Sequence, residues 1–171
     1  MGFGKRLSPK LLIFGRRLMS PNNSTYMASC GCCFVKISGA SFHCESGTIS
    51  DNNGSYVLIL SLDHVIQHEI GRLGPSHFPS GIYGYARNAY GGGGLRAQLR
   101  RHFASNGPTH WHIDYLKPVA TLLGAWVFDQ GCECDVAYAM LLMPRACLPV
   151  DGFGASDCKQ CHSHLILLEE R

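Results

Sequence analysis

The sequence predicts an α+β domain built on a small, mostly antiparallel sheet flanked by helices. Runs rich in β-branched, aromatic and other apolar residues recur between turn formers, at residues 54–62, 65–70, 82–86, 121–128 and 163–168. Two further stretches repeat their apolar residues at helical spacing, one through Leu95, Leu99 and Phe103, the other through Val136, Ala137, Met140 and Leu141. The resulting order, β-β-β-α-β-α-β, is that of an α+β fold rather than of strict βα alternation.

Taken in chain order, residues 1–53 hold no sustained period of 3.6 or 2 and are broken by Gly, Ser, Pro and Asn, as at Pro21-Asn22-Asn23-Ser24. They are expected to be a poorly ordered basic extension, with a short strand at 32–37. Order is expected to begin at Gly54, where Gly54-Ser55-Tyr56-Val57-Leu58-Ile59-Leu60-Ser61-Leu62 reads as a buried strand. After the 65–70 strand, Gly71, Gly74, Pro75, Pro79 and Gly81 read as turns leading to the strand at 82–86. The glycines at 91–94 precede an amphipathic helix of about three turns. Residues 110–116 form a short helix or turn before the 121–128 strand, and the second helix starts at Glu133 and is stopped by Pro144. The strand at 163–168 closes the domain, so that one domain spans 54–171.

Composition narrows the class. The 171 residues are 46% hydrophobic and 16% charged, enough for one core. The apolar runs fall far short of the ~20 residues that span a bilayer. Residues 1–53 carry six basic against two acidic side chains, whereas 54–171 carry nine against ten, so the net +3 belongs to the N-terminal segment. Nine cysteines without a secretory signal read as reduced thiols, and a cytoplasmic or nuclear location follows as the default. The alternative is mitochondrial, since residues 1–20 hold five basic residues, two serines and no acid.

Three strings then converge: Gly54-x-Tyr56 on the first strand, Tyr85-Ala86-Arg87-Asn88-Ala89 ending the third, and Leu95-x-x-Gln98-x-x-Arg101-His102-Phe103 on the helix. Together they resemble the GIY-YIG nuclease superfamily. Downstream, His110-Trp111-His112-Ile113-Asp114-Tyr115-Leu116, Glu133-Cys134 and Gly152-Phe153-Gly154-Ala155-Ser156-Asp157-Cys158 resemble its Uri-type endonuclease-like branch. The resemblance implies metal-dependent hydrolysis of phosphodiesters in DNA or structured nucleic acid. Glu133 would hold one Mg²⁺ or Mn²⁺, Tyr56 would help deprotonate the attacking water, Tyr85 would position it, and His102 would contact phosphate or assist proton transfer. Read without the resemblance, Tyr56 and Tyr85 are core aromatics, Glu133 is a helix-dipole partner and His102 is helix surface.

Two positions depart from the superfamily pattern. Gln98 stands where it carries an arginine, and a neutral amide cannot fork two charge-assisted bonds onto phosphate. Arg87 replaces the glycine of the second motif, which either supplies the missing cation or blocks the approach that glycine permits. Arg101 lies at i+3 from Gln98 and is a further substitute. Together Arg87, Arg96, Arg100 and Arg101, with no acid between residues 85 and 102, form a basic strip suited to nucleic acid. His110 and His112 are candidates either to contact nucleic acid or to chelate a metal. These departures motivate a second reading, a catalytically inactive nucleic-acid-binding module.

A third reading is a zinc-stabilised interaction domain. Cys158-x-x-Cys161-His162-Ser163-His164, with Cys132-x-Cys134 upstream, has the residue types of a tetrahedral zinc site. Only Cys158 and Cys161 have half-site spacing, so zinc ranks behind Mg²⁺ or Mn²⁺ and behind free thiols.

Overall fold

The computed structural model of the chain describes residues 40–104 and 107–171. The expected strand at 32–37 and the basic leader lie outside them. Among the described residues, seven strands and three α-helices follow in order: β1 (Ala40–His43), β2 (Gly54–Leu62), β3 (Ile66–Glu69), β4 (Pro75–Phe78), β5 (Gly81–Asn88), α1 (Gly94–Phe103), α2 (His112–Leu116), β6 (Thr121–Asp129), α3 (Glu133–Leu141) and β7 (Leu165–Glu170). The fold is α+β, with a five-stranded antiparallel sheet in the order β1-β6-β2-β5-β7 and a separate β3-β4 hairpin.

All nine residues of β2 are buried, as its unbroken apolar run requires of a strand covered on both faces. The period of two divides it cleanly. Tyr56, Leu58, Leu60 and Leu62 join Tyr83, Tyr85, Leu95, Leu99, Ile113 and Phe153 in one core. Val57 and Ile59 join Ile82, Trp126, Val136, Ala137 and Met140 in the other. The sheet is therefore a partition, with α1 and α2 on one side and α3 on the other. Gly84 lets α3 come close, because a Cβ there would run into the sulfur of Met140.

Two strands depart from the sequence reading. Pro75 and Gly74 suggest only a turn, yet 75–78 pairs with β3. Proline is tolerated because it opens the strand and needs to donate no ladder bond there. The sheet also begins upstream of Gly54, since β1 pairs with β6 along Ala40↔Phe128 to His43↔Ala125, and Phe42 packs on Trp126 at 5.2 Å. Residues 49–53 then close the start of α1: Ile49 is buried, and the carbonyls of Ser50 and Asn52 accept the N–H groups of Arg96 and Leu95. Those are first-turn donors that the helix itself cannot satisfy. No helix among the described residues is long and apolar enough to cross a membrane.

Candidate functional site

The antiparallel register places Tyr56 of β2 opposite Arg87 of β5, and Tyr85, two residues before Arg87, shares that face. On α1, Gln98 and His102 are four residues apart and so lie one above the other. These constraints converge on a cleft of about 70 Å³ lined by Tyr56, Tyr85, Arg87, Asn88, Gln98, His102 and Trp111. The sequence-expected Tyr56, Tyr85, Gln98, His102 and Arg87 thus meet in one place. Asn88 and Trp111 join them without having been singled out.

At the back of the cleft the Tyr56 hydroxyl and His102 Nε2 share a hydrogen bond of 2.9 Å. His102 is only 2% exposed, so it is not the solvated helix surface that its arginine neighbours suggested. Burial, reinforced by the charges of Lys117 and Arg101, pushes its imidazole down to about 3, and it is neutral near pH 7. Burial drives both tyrosine hydroxyls well above their ordinary range. Tyr56 therefore keeps its proton, and the neutral His102 is the basic member of the pair. The Tyr85 hydroxyl is buried without a hydrogen-bond partner among the described residues, which is uncommon for a buried polar group.

Arg87 is the best-tethered charge in the site. Its Nη1 donates to the Gly154 carbonyl at 2.7 Å and lies 3.6 Å from Asp157, its Nε lies 3.7 Å from Glu133, and its guanidinium stacks 4.8 Å from the Trp111 ring. Burial opposes the charge, but Tyr85, Glu133 and Asp157 outweigh it and hold the guanidinium more firmly protonated than usual. Glu133 in turn accepts the Asn88 N–H at 2.8 Å, while its own N–H donates to Asn88 Oδ1 at 2.9 Å. It opens α3, so the dipole role read from sequence also holds.

The Mg²⁺ or Mn²⁺ implied at Glu133 does not fit this arrangement. The Oε2 atom that accepts the Asn88 N–H also faces Arg87, and a divalent ion there would sit against the guanidinium. Arg87 neutralises the carboxylate that the ion needs.

The remaining candidates lie around the cleft rather than in it. Arg101 is held by Asp114 at 2.5 Å and lies 5.7 Å from the Trp111 ring, so it braces α2 instead of replacing Gln98. Asp114 also accepts the N–H groups of His110 and Trp111, each at 3.0 Å. His112 accepts the Gly154 N–H at 2.9 Å through Nδ1, so it supports the 152–157 loop. Arg96 binds the Ile49 carbonyl at 2.6 Å and Asp51 at 3.0 Å, which fastens the upstream segment. Arg100 is exposed on α1.

Gly154 is a tight point. Its φ is +72°, and a Cβ would lie 2.6 Å from Tyr85 Cε2. Gly154→Ala is expected to lower stability by about 2–4 kcal/mol, from left-handed strain plus overpacking. A lower urea midpoint at constant m value would report it.

A second cluster lies beside the first. The ligand atoms of Cys134, Cys158, Cys161 and His164 all fall within 4.8 Å of one another, so metal-ligating side chains gather here rather than at Glu133. The order of the expected metals is thus reversed, and a Cys/His set suits zinc better than magnesium. The half-site that the sequence left unspaced is completed by Cys134 of α3 and by His164, just before β7; Cys132 is not part of it.

No curated protein and no solved structure matches the chain. Residues 55–171, the span that carries the sheet core, the cleft and the cysteine cluster, match the family described as domain of unknown function DUF123, and the chain belongs to that family.

Proposed function

We propose that this domain is a nucleic-acid-binding unit of GIY-YIG nuclease type, close to the Uri-type endonuclease-like branch. Its cleft takes a phosphodiester of DNA or structured nucleic acid, and its cleavage is attenuated. The observation that carries this reading is Arg87, a firmly charged guanidinium on the cleft wall opposite Tyr56. A phosphate entering the cleft meets that cation, the unpartnered Tyr85 hydroxyl and the Gln98 amide. Charge-assisted bonds of this kind suit a phosphate oxygen.

The same residues limit turnover. Gln98 supplies neutral donors where a preorganised cation would stabilise the transition state, a loss of roughly 10²- to 10³-fold. Tyr56 keeps its proton, and burial makes the neutral His102 beside it a weak base, so neither member of the pair readily takes a proton from water near pH 7. The neutralised Glu133 removes the expected anchor for a divalent ion.

The test is a pair of assays on the purified chain with nicked, branched and linear DNA. Affinity is expected to fall linearly with salt on a log–log plot, because binding to phosphates releases counterions. With Mg²⁺ or Mn²⁺ added, products are expected to accumulate at about 1% or less of the rate reached once Gln98→Arg is combined with Arg87→Gly. Rapid cleavage by the parent, abolished by Glu133→Ala, would show full enzymatic competence instead. Absence of binding at low salt would remove the nucleic-acid reading altogether.

A further inference from the structure

The cysteine cluster has the geometry of a built metal site. Cys134 and Cys158 hold their sulfurs 3.6 Å apart. That is far beyond a disulfide bond of ~2.05 Å. It is close to the ~3.8 Å edge of a tetrahedron with metal–sulfur bonds of ~2.3 Å. The backbone folds around Cys158 as a thiolate site would require, with the N–H groups of Gln160 and Cys161 directed at its Sγ at 3.4 and 3.3 Å. His164 supplies a second, independent sign. It is fully buried, and beyond a loose contact with the Gly154 backbone its ring nitrogens have no hydrogen-bond partner among the described residues. Burying an imidazole nitrogen unpaired is costly, and coordination through it relieves the cost.

We infer that Cys134, Cys158, Cys161 and His164 form a tetrahedral Cys₃His zinc site that clamps the start of α3 to the loop preceding β7. Three sulfurs and one nitrogen select zinc over the hard, oxygen-preferring ions. The three thiols release their protons as the ion binds. The clamp has a consequence for the cleft. Glu133 immediately precedes Cys134, Asp157 immediately precedes Cys158, and Gly154 lies in the same loop. These are the three groups that hold Arg87. The zinc site is therefore a positioning device, which fixes the partners of the cleft's cation without touching the cleft.

Metal analysis of the full chain tests this without nucleic acid, so its outcome is independent of the phosphodiester reading. Protein purified without chelators is expected to carry about one equivalent of zinc, and exchange into cobalt(II) is expected to give the intense visible bands of a tetrahedral thiolate complex. Cys132→Ser keeps both signals, whereas Cys158→Ser loses them. Should Cys158→Ser fail to fold, stripping the parent with a chelator and restoring zinc alone is expected to lower and then recover its thermal midpoint. Substoichiometric zinc with no cobalt spectrum, zinc retained in folded Cys158→Ser, or a Cys134–Cys158 disulfide in freshly prepared protein would each overturn the assignment.

Discussion

Arg87→Gly combined with Gln98→Arg is expected to raise divalent-ion-dependent DNA cleavage by about 10²-fold or more over the parent. The first substitution takes the guanidinium off Glu133 and leaves a carboxylate whose remaining partner is the Asn88 N–H. The second places a bidentate cation on the helix face that already carries His102. Neither is expected to suffice alone, because Glu133 stays neutralised in one and the cationic donor stays absent in the other. Glu133→Ala in the double variant is expected to return the rate to the parental level. A glycine near the end of β5 costs about 1 kcal/mol, and removing Arg87 loosens its bond to Gly154, so unfolding curves must accompany the rates. A folded double variant no faster than the parent would show that Arg87 and Gln98 do not hold activity back.

The second large effect is on stability in acid. His102 is held near 3 in the folded chain but has its ordinary value of 6.5 when unfolded, so below about pH 6.5 the unfolded state binds a proton that the folded state refuses. Stability is thus complete at neutral pH and is lost as pH falls from about 6.5 towards 3. This one side chain accounts for roughly 3 kcal/mol between pH 7 and about pH 4. In His102→Asn, which keeps a polar group beside Tyr56 but cannot titrate, that part of the slope is expected to disappear. Urea midpoints measured across the pH range for both proteins check it. Equal acid sensitivity in the two would place the loss elsewhere.

Much of this site was legible because it is built from short-range rules. The period of two puts Tyr85 and Arg87 on one face of β5, four-residue spacing aligns Gln98 with His102, and a hairpin-like antiparallel register brings Tyr56 across from Arg87. What escaped depends on distant segments meeting. Nothing in the 85–102 stretch reveals that Arg87 lands on Glu133 and Asp157, since both arrive from beyond β6. That contact ties one arginine of the basic strip into an internal ion pair with the carboxylate expected to hold the metal. Trp111 reads as an aromatic between two histidines, and only its stacking on Arg87 and Arg101 makes it a wall of the cleft. The cysteine set is similar: Cys158 and Cys161 announce themselves by spacing, whereas Cys134 and His164 come into range only through the packing of α3 and β7 on β5. Among the strands, β1 is a four-residue edge in a Gly- and Ser-rich stretch, and β4 begins at a proline. Both are stabilised by pairing rather than by their own propensity.

The central claim is that the cleft beside Arg87 receives a phosphodiester. It is tested most directly by salt titrations of a short DNA duplex against the parent and against Arg87→Ala. The expected result is an affinity about 10- to 100-fold weaker in the variant, with a salt slope shallower by about one ion. Unchanged affinity and slope in a folded Arg87→Ala protein would contradict it, and would leave Arg87 as a structural tether of Glu133, Gly154 and Asp157.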